Sequence, residues 1–153
     1  MLIEVKVKVA RVIDGKTRKR TETYLVDKEF FAEAELQVLD YLNQEQNDGL
    51  IEGCDIQSLK QSQIKEVATQ FNGEFTYIAT LKDIWLDTDG TEKDLKYKVL
   101  LWAEDLTDAN RNIHQLARQG YDMLIEGIKQ VDYEYLNNPA TQETITEEEV
   151  NND

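Results

Sequence analysis

The chain opens with a strict alternation of apolar and polar residues. The apolar positions are Ile3, Val5, Val7 and Val9, and the polar positions between them are Glu4, Lys6 and Lys8. This period of two is typical of a β-strand with one buried and one exposed face. Asp14-Gly15 follows, and it favours a tight hairpin turn because glycine tolerates a positive φ. The pattern predicts a hairpin whose second strand covers about residues 20–26.

A stripe of apolar residues at helical spacing follows the hairpin. Its members are Phe31, Ala34, Val38, Tyr41 and Leu42. Residues three and four apart lie on one face of a helix, so the stripe predicts a helix that is buried along this face. We expect the carboxylate of Asp27 to cap its first turn and Asn47-Asp48-Gly49 to end it. Residues 51–67 are predicted to form one or two further strands.

The same series of landmarks then occurs a second time. Asp14-Gly15 returns as Asp89-Gly90, 75 residues later, and Leu50–Gly53 (Leu-Ile-Glu-Gly) returns as Leu124–Gly127, 74 residues later. Concordant landmarks at nearly one offset indicate an internal duplication. The second copy is predicted to contain strands near 75–86 and 93–102 and a last strand at 125–135. Between them, a helix is predicted from a cap at Thr107 or Asp108 to about Gln119, and Gly120 should end it.

These elements predict an α+β protein made by tandem duplication of a ββαβ unit. Each copy should form an antiparallel-rich sheet with one packed helix. We place the first repeat at residues 1–70, the second at 71–136 and an acidic tail at 137–153. The tail has few apolar side chains, so it is predicted to be disordered.

Composition narrows the classes of function. The net charge is -14, and the chain has one cysteine and one histidine. Two such residues cannot supply the four ligands of a structural zinc site, and neither a metal nor another cofactor is expected. No apolar run approaches the length that crosses a membrane, and no signal peptide is recognised. We therefore expect a soluble, cytoplasmic protein.

The pattern of the leading strands and helices resembles a known family. The matching segments are Ile3–Val7, Tyr24–Asp27 and Phe31–Glu35 in the first half, and Tyr77, Ala79, Leu81 and Trp102–Ala109 in the second. They resemble the uncharacterised domain of unknown function 4494 over residues 2–136. The resemblance implies a setting in Bacteroidetes-type bacteria and their phages. It implies no activity and no catalytic residues.

A dense basic cluster lies at the first predicted hairpin. Its members are Lys16, Arg18, Lys19 and Arg20. Such a hairpin could contact phosphates, while aromatic residues on the strands could stack on bases. The aromatic candidates are Tyr24, Tyr77, Trp85, Tyr97 and Trp102. A solvated turn and ordinary core packing are the alternatives for these two groups.

The tail is a second candidate for binding. Its acidic residues are Glu143, Glu147, Glu148, Glu149 and Asp153, with no basic residue among them. Such a tail could recruit a protein partner or compete with nucleic acid for the basic hairpin. The alternative is a solubilising chain end.

The signals for catalysis are weak. His114 lies in the second predicted helix without a nucleophile or orienting acid that marks a triad. Cys54 has Glu52 and Asp55 beside it, which disfavour a thiolate. The acids of the second hairpin (Asp83, Asp87, Asp89, Glu92 and Asp94) do not complete a calcium loop.

The hypothesis that follows is a non-catalytic accessory protein of a phage or prophage, which binds a host or phage protein through an acidic surface. The negative field favours a basic protein partner, because it repels nucleic acid at long range. One alternative is an accessory protein for single-stranded nucleic acid, with a basic hairpin and an acidic regulatory tail. An unrecognised enzyme is the other. The oligomeric state stays open.

Overall fold

Residues 1–118 and 124–136 are described in a computed structural model of the chain, apart from the side chains of Ile84, Trp85 and Arg118. Within these residues the protein is α+β, with two four-stranded sheets and one helix packed on each. No helix in the described ranges is long and apolar enough to cross a membrane. The predicted helix end at Gln119 and Gly120 and the predicted tail at 137–153 lie outside the described residues.

The first unit is built mainly from the N-terminal part of the chain. It contains β1 (Leu2–Ile13), β2 (Lys16–Asp27), α1 (Phe31–Asn47), β3 (Ile51–Gln61) and β8 (Tyr133–Tyr135). The strand order in its sheet is β3-β1-β2-β8. The long strands pair antiparallel, and the short β8 pairs parallel with β2.

The second unit repeats this arrangement. It contains β4 (Ile64–Ala68), β5 (Phe75–Leu86), β6 (Glu92–Ala103), α2 (Leu106–Arg118) and β7 (Leu124–Val131). The strand order is β4-β6-β5-β7, and the short β4 pairs parallel with β6. Each sheet thus has a ββαβ unit and one short parallel strand beside its second strand.

The two short strands lie in a different sheet from the strands that precede them in the chain. Strand β4 follows β3 but joins the second sheet, and β8 follows β7 but joins the first. By contacts, one unit is Met1–Ser62 together with β8, and the other is Gln63–Asp132. The division at residue 70 from the sequence places β4 with the first repeat. The chain leaves the first sheet at Ser62, whose amide donates to the Leu2 carbonyl at 2.8 Å.

Each helix packs on the apolar face that the alternation predicts. The first core comprises Ile3, Val5, Val7, Val9, Tyr24, Val26, Ala34, Val38, Leu42 and Ile51. The second comprises Ala68, Tyr77, Ala79, Leu81, Val99, Leu101, Ala103, Ala109, Ile113 and Leu116. The register confirms the correspondence, because Val5 lies opposite Tyr24 and Ala79 lies opposite Val99.

The first hairpin turn has the geometry that its sequence favours. Asp14 has φ 53° and Gly15 has φ 75°. Two positive φ values in succession are typical of a type I′ turn, whose twist matches that of the paired strands. Ile13 and Lys16 close the turn, and pairing continues without a register shift to Leu2 and Asp27.

Both predicted helix caps are wrong. Asp27 does not cap α1, because the helix begins after Phe30 and has no side-chain cap. Its carboxylate binds the N-terminal ammonium group at 3.0 Å instead. At α2, Asp105 is the cap, since its Oδ1 accepts the amide of Asp108 at 2.8 Å. Asp108 lies inside the helix, and its Oδ2 accepts the amide of Glu104 at 3.0 Å.

Candidate functional site

The four cations of the predicted basic cluster lie on the first half of β2. Lys16, Arg18, Lys19 and Arg20 are all exposed. Arg20 donates from Nε to Glu22 at 2.6 Å. Lys16, Arg18 and Lys19 have no ion pair with any carboxylate in the described part of the chain. The hairpin therefore presents three uncompensated positive charges.

The outer edge of β2 is unpaired over the same residues. Strand β8 pairs with β2 only from Thr23 to Leu25. Between Lys16 and Glu22, no other described strand pairs with this edge. Backbone amides and carbonyls along it are thus available for a further strand.

A partly buried ion cluster joins this hairpin to α1. Arg11 donates to Glu22 from Nε and Nη2, each at 2.7 Å. It also donates to Glu45 of α1 from Nη1 at 3.2 Å and from Nη2 at 3.1 Å. The side chains are only 16% exposed for Arg11 and 13% for each glutamate. Bidentate pairs of this kind fix orientation as well as charge.

The arginine and its neighbours lower the pKa of Glu22 strongly. Burial alone would raise this pKa, but hydrogen bonds from Arg11, Tyr24 and Arg20 and the charge of Arg11 lower it to about 2. A carboxylate held so firmly in its ionised form is a poor proton donor or acceptor near neutral pH. The cluster is therefore suited to holding the hairpin in place.

Tyr24, proposed from the sequence as a contact for nucleic acid, is buried against this ion cluster. Its side chain has no exposed surface, and its hydroxyl donates to Glu22 at 2.6 Å. The ring packs edge-to-face on Tyr41 with the centroids 5.8 Å apart. No face of the Tyr24 ring is left for stacking on a base.

A third glutamate lies on β8 at the level of Tyr24. Glu134 is opposite Tyr24 in the strand register and accepts the Tyr41 hydroxyl at 3.0 Å. Desolvation raises its pKa, and the charges of Glu45 and Glu22 add to this effect against the hydrogen bond from Tyr41. Glu22 and Glu134 thus have pKa values displaced in opposite directions.

The other predicted stacking residues are also not presented as a platform. Tyr77 is 3% exposed. Tyr97 is half-buried, with its hydroxyl 3.3 Å from Glu66, and Trp102 is half-buried. The side chain of Trp85 lies outside the described part of the structure. Among the described candidates, no aromatic ring is fully exposed.

The acids of the second hairpin are engaged within it. Asp87 forms an ion pair with Lys93 at 2.7 Å, and Asp94 forms one with Lys82 at 3.1 Å. Asp89 accepts the amide of Thr91 at 2.9 Å. In the ranges that the structure describes, no cluster of three potential ligands is arranged to hold a metal ion.

The two residues considered from the sequence for nucleophilic or acid-base chemistry, His114 and Cys54, lie on α2 and β3. His114 is exposed on α2. Cys54 is half-buried on β3. Burial raises the pKa of its thiol, and the nearby charge of Asp55 raises it further. A raised pKa disfavours the reactive thiolate.

A second candidate surface lies at the start of α1. The side chains of Phe30 and Phe31 are 64% and 46% exposed. Glu29, Glu33 and Glu35 are exposed beside them, and none has an ion pair within the described residues. Aromatic side chains ringed by polar groups are typical of protein interfaces. We call these five residues the Phe-Glu surface.

The sequence interpretation missed both the ion cluster and the Phe-Glu surface. Phe31 was expected on the buried stripe of α1, but it lies one turn before Ala34, where the core begins. Arg11 carried a signal, because it continues the odd-numbered apolar stripe of β1 with a charge. Glu45 is 34 residues away from it in the chain, so no local spacing predicts their contact.

The acidic tail residues proposed as a partner site cannot be placed in this geometry. Glu143, Glu147, Glu148, Glu149 and Asp153 all lie outside the described residues. Their role as a binding segment stays a prediction.

Comparison with known proteins gives one match. No curated protein and no solved structure matches the chain significantly. The model of a domain of unknown function, DUF4494, matches residues 1–148, which is nearly the whole chain. The match includes both ββαβ units, the basic hairpin and the Phe-Glu surface. The chain therefore belongs to the DUF4494 family.

Proposed function

We propose that the protein is a non-catalytic accessory protein that binds a basic protein partner through the Phe-Glu surface. The observation that carries this proposal is the exposure of Phe30 and Phe31 next to three carboxylates that form no ion pair with any described residue. When a partner covers water-exposed phenylalanine side chains, the complex is stabilised by about 25 cal/mol per Å² of apolar area buried. The carboxylates at the rim would select a partner that carries lysine or arginine.

The whole charge distribution supports the same choice of partner. The chain has a net charge of -14. A field of this sign attracts a basic protein from a distance and accelerates the encounter, and it slows the approach of nucleic acid. The proposal therefore joins long-range attraction to a short-range aromatic contact.

The described side chains give a catalytic alternative little support. Glu22, the most tightly held carboxylate of the ion cluster, is fixed in its ionised form. His114 is exposed on a helix. An enzyme would need a pair of groups poised near neutral pH in a shared cavity. The proposal is accordingly a binding role, set in a bacterial cell or its phage as the family resemblance implies.

Single-stranded nucleic acid remains the second candidate ligand, because Lys16, Arg18 and Lys19 are exposed and uncompensated. The burial of Tyr24 and Tyr77 counts against it, since binding of single strands relies on stacking as well as on charge.

The test is quantitative capture from lysate of phage-infected bacterial cells. Tagged wild-type protein is compared with Phe30→Ser/Phe31→Ser, and captured proteins are identified by mass spectrometry. The matched control is Leu86→Ser/Leu95→Ser, which removes two side chains that are 72% and 55% exposed on the second hairpin. We expect the phenylalanine variant to capture one basic protein in an amount at least about tenfold lower than wild type does, and we expect the control to capture as much of it as wild type.

A charge arm separates specific from general attraction. Glu33→Lys should weaken capture of the same protein. The difference between this variant and wild type should diminish at high salt, because screening removes the charge effect in both. An identical set of captured proteins for wild type, phenylalanine variant and control would refute the proposal.

A further inference from the structure

The open edge of β2 has a defined pattern of backbone groups. In a hairpin closed by a two-residue turn, the residues that flank the turn exchange both hydrogen bonds, and hydrogen-bonded pairs then alternate. Ile13 and Lys16 flank the turn, so Lys16, Arg18 and Arg20 direct their amides and carbonyls toward β1. Thr17, Lys19 and Thr21 direct theirs outward.

The contact between β8 and β2 agrees with this alternation. Leu25, like Thr17 and Thr21, is at an odd-numbered position of β2, where the backbone groups point outward. Its carbonyl accepts the amide of Leu136 at 3.1 Å. The outward groups of β2 from Thr23 to Leu25 thus face β8. Those of Thr17, Lys19 and Thr21 have no strand beside them in the described part of the fold.

Side chains add charge to both faces of this open edge. Successive residues of a strand point to opposite faces. Lys16 and Arg18 therefore lie on the face that carries α1, and Lys19 lies on the other. A strand added to this edge would have positive charge above and below its own backbone.

The ion cluster keeps the edge in a fixed position. Arg11 joins Glu22 of β2 to Glu45 of α1 through four hydrogen bonds. A preorganised edge loses little conformational freedom when a ligand binds.

We propose that the outer edge of β2 from Lys16 to Glu22 binds an acidic, extended polypeptide segment by strand addition. The backbone of the segment pairs with the outward groups of Thr17, Lys19 and Thr21, which gives register and affinity. Carboxylates on one face of the segment contact Lys16 and Arg18, and carboxylates on its other face contact Lys19, which gives selectivity. This site is separate from the Phe-Glu surface and takes a ligand of opposite charge.

A peptide fits this edge better than a nucleic acid does. A phosphodiester backbone has no N–H donor, so it cannot satisfy the outward carbonyls of β2. Tyr24, the aromatic residue nearest along β2, is buried and offers no stacking face. Phosphates would use the cations but leave the edge unpaired.

A second copy of the chain is also a poor occupant. Antiparallel pairing of two β2 edges centred on Lys19 would set Arg18 of one copy against Arg20 of the other and Lys19 against Lys19. Like charges directly opposite are destabilising in a sheet, so the same cations that attract an acidic strand oppose self-association.

The binding test uses two labelled probes with the full-length protein. One is a synthetic peptide of repeating Glu-Glu-Thr-Thr units, which has glutamates on both faces when it is extended, and the other is an oligothymidylate of equal charge. Fluorescence anisotropy measures the affinity of each. We expect the peptide to bind more tightly than the oligonucleotide, and Arg18→Glu/Lys19→Glu to weaken peptide binding by at least about tenfold.

Two matched variants isolate the parts of the mechanism. Lys65→Glu/Lys129→Glu changes the net charge equally at exposed residues of the second unit, and it should leave peptide affinity within about twofold of wild type. Thr21→Pro removes an outward amide but no charge and no hydrogen bond to β1. Thr21→Pro should lower the affinity for the peptide about tenfold, while Thr21→Ala, which keeps the amide, should not.

The outcomes decide between the occupants. Circular dichroism first confirms that each variant is folded. Equal affinity of Thr21→Pro and Thr21→Ala for the peptide would overturn strand addition. Tighter binding of the oligonucleotide, lost in Arg18→Glu/Lys19→Glu, would overturn the peptide in favour of nucleic acid. A concentration-dependent dimer that Thr21→Pro abolishes would identify a second copy as the occupant.

Discussion

At Glu22, burial and hydrogen bonding act on one carboxyl in opposite directions. The hydrogen bonds and the charge of Arg11 prevail and lower its pKa from 4.5 to about 2. A depressed folded-state pKa adds stability above the unfolded pKa, and this stability is lost as the pH falls through the folded value. The window for Glu22 therefore extends from about pH 4.5 down to about pH 2.

We expect Glu22→Gln to lower the free energy of unfolding by about 2 kcal/mol at neutral pH, because Arg11 loses its main charged partner. The difference from wild type should shrink as the pH falls through the window given above. Urea denaturation at several pH values measures it. Glu52→Gln, at an exposed residue of β3, is the control and should show no such trend.

Glu134 should respond to pH in the opposite sense. Its raised pKa means that the folded protein holds the proton of Glu134 more firmly than the unfolded chain does. Stability is therefore lost as the pH rises from the ordinary pKa of a glutamate through the raised pKa of the folded state. Glu134→Gln removes this cost and still accepts the Tyr41 hydroxyl. We expect the variant to equal or exceed wild type in stability at neutral pH, with the advantage declining in acid. A clear loss of stability at neutral pH would contradict this.

Among the helices, α2 has the side-chain cap that α1 lacks. Asp105 accepts the amide of Asp108 at 2.8 Å, so Asp105→Ala should destabilise the protein by about 1 kcal/mol. Thr107, which the sequence also offered as a cap, provides the control. Thr107→Ala should change the free energy of unfolding by only a few tenths of a kcal/mol, roughly, in chemical denaturation. Equal losses in the two variants would count against the assignment of the cap.

Two glycines test the backbone geometry of the strands and their turns. Gly15 has φ 75°, whereas Gly53 has no positive φ, and a methyl group would meet open space at either residue. Gly15→Ala should therefore cost about 1–2 kcal/mol, since only the backbone conformation penalises it. Gly53→Ala should cost less or even stabilise β3. Thermal unfolding of the two variants gives the comparison, and a reversed order would be evidence against the type I′ turn.

The long elements were predictable because burial acts on each of them directly. Alternation from Ile3 to Val9 and helical spacing from Ala34 to Leu42 match the observed core. The sequence pattern does not separate the short strands β4 and β8 from the strands before them. A strand of three to five residues is too short for its hydrophobic pattern to show which sheet it joins. The ion cluster escaped prediction for a related reason, since it joins β1, β2 and α1 through contacts between distant residues.

At the scale of the whole molecule, the first sheet depends on a strand from the other end of the described chain. The amide of Leu136 donates to Leu25, and Glu134 accepts from Tyr41. A chain that ends at Asp132 lacks β8 and should lose protection of β2 and α1 against hydrogen exchange, while the amides of the second core keep theirs. A chain that ends at Leu136 is the control. Equal loss of protection in both units would contradict this local effect.

The return of β8 to the first sheet also affects the order in which the protein can fold during synthesis. A ribosome releases the chain from its N-terminus, and domains ordinarily fold in that order. Here the second unit is one continuous segment, Gln63–Asp132, and its sheet can be completed once that segment has emerged. The first unit begins earlier but must wait for Tyr133–Tyr135. Thus the half of the protein that is translated first is the last to be completed, and the outer edge of β2 stays uncovered along its whole length until translation of the second unit has finished.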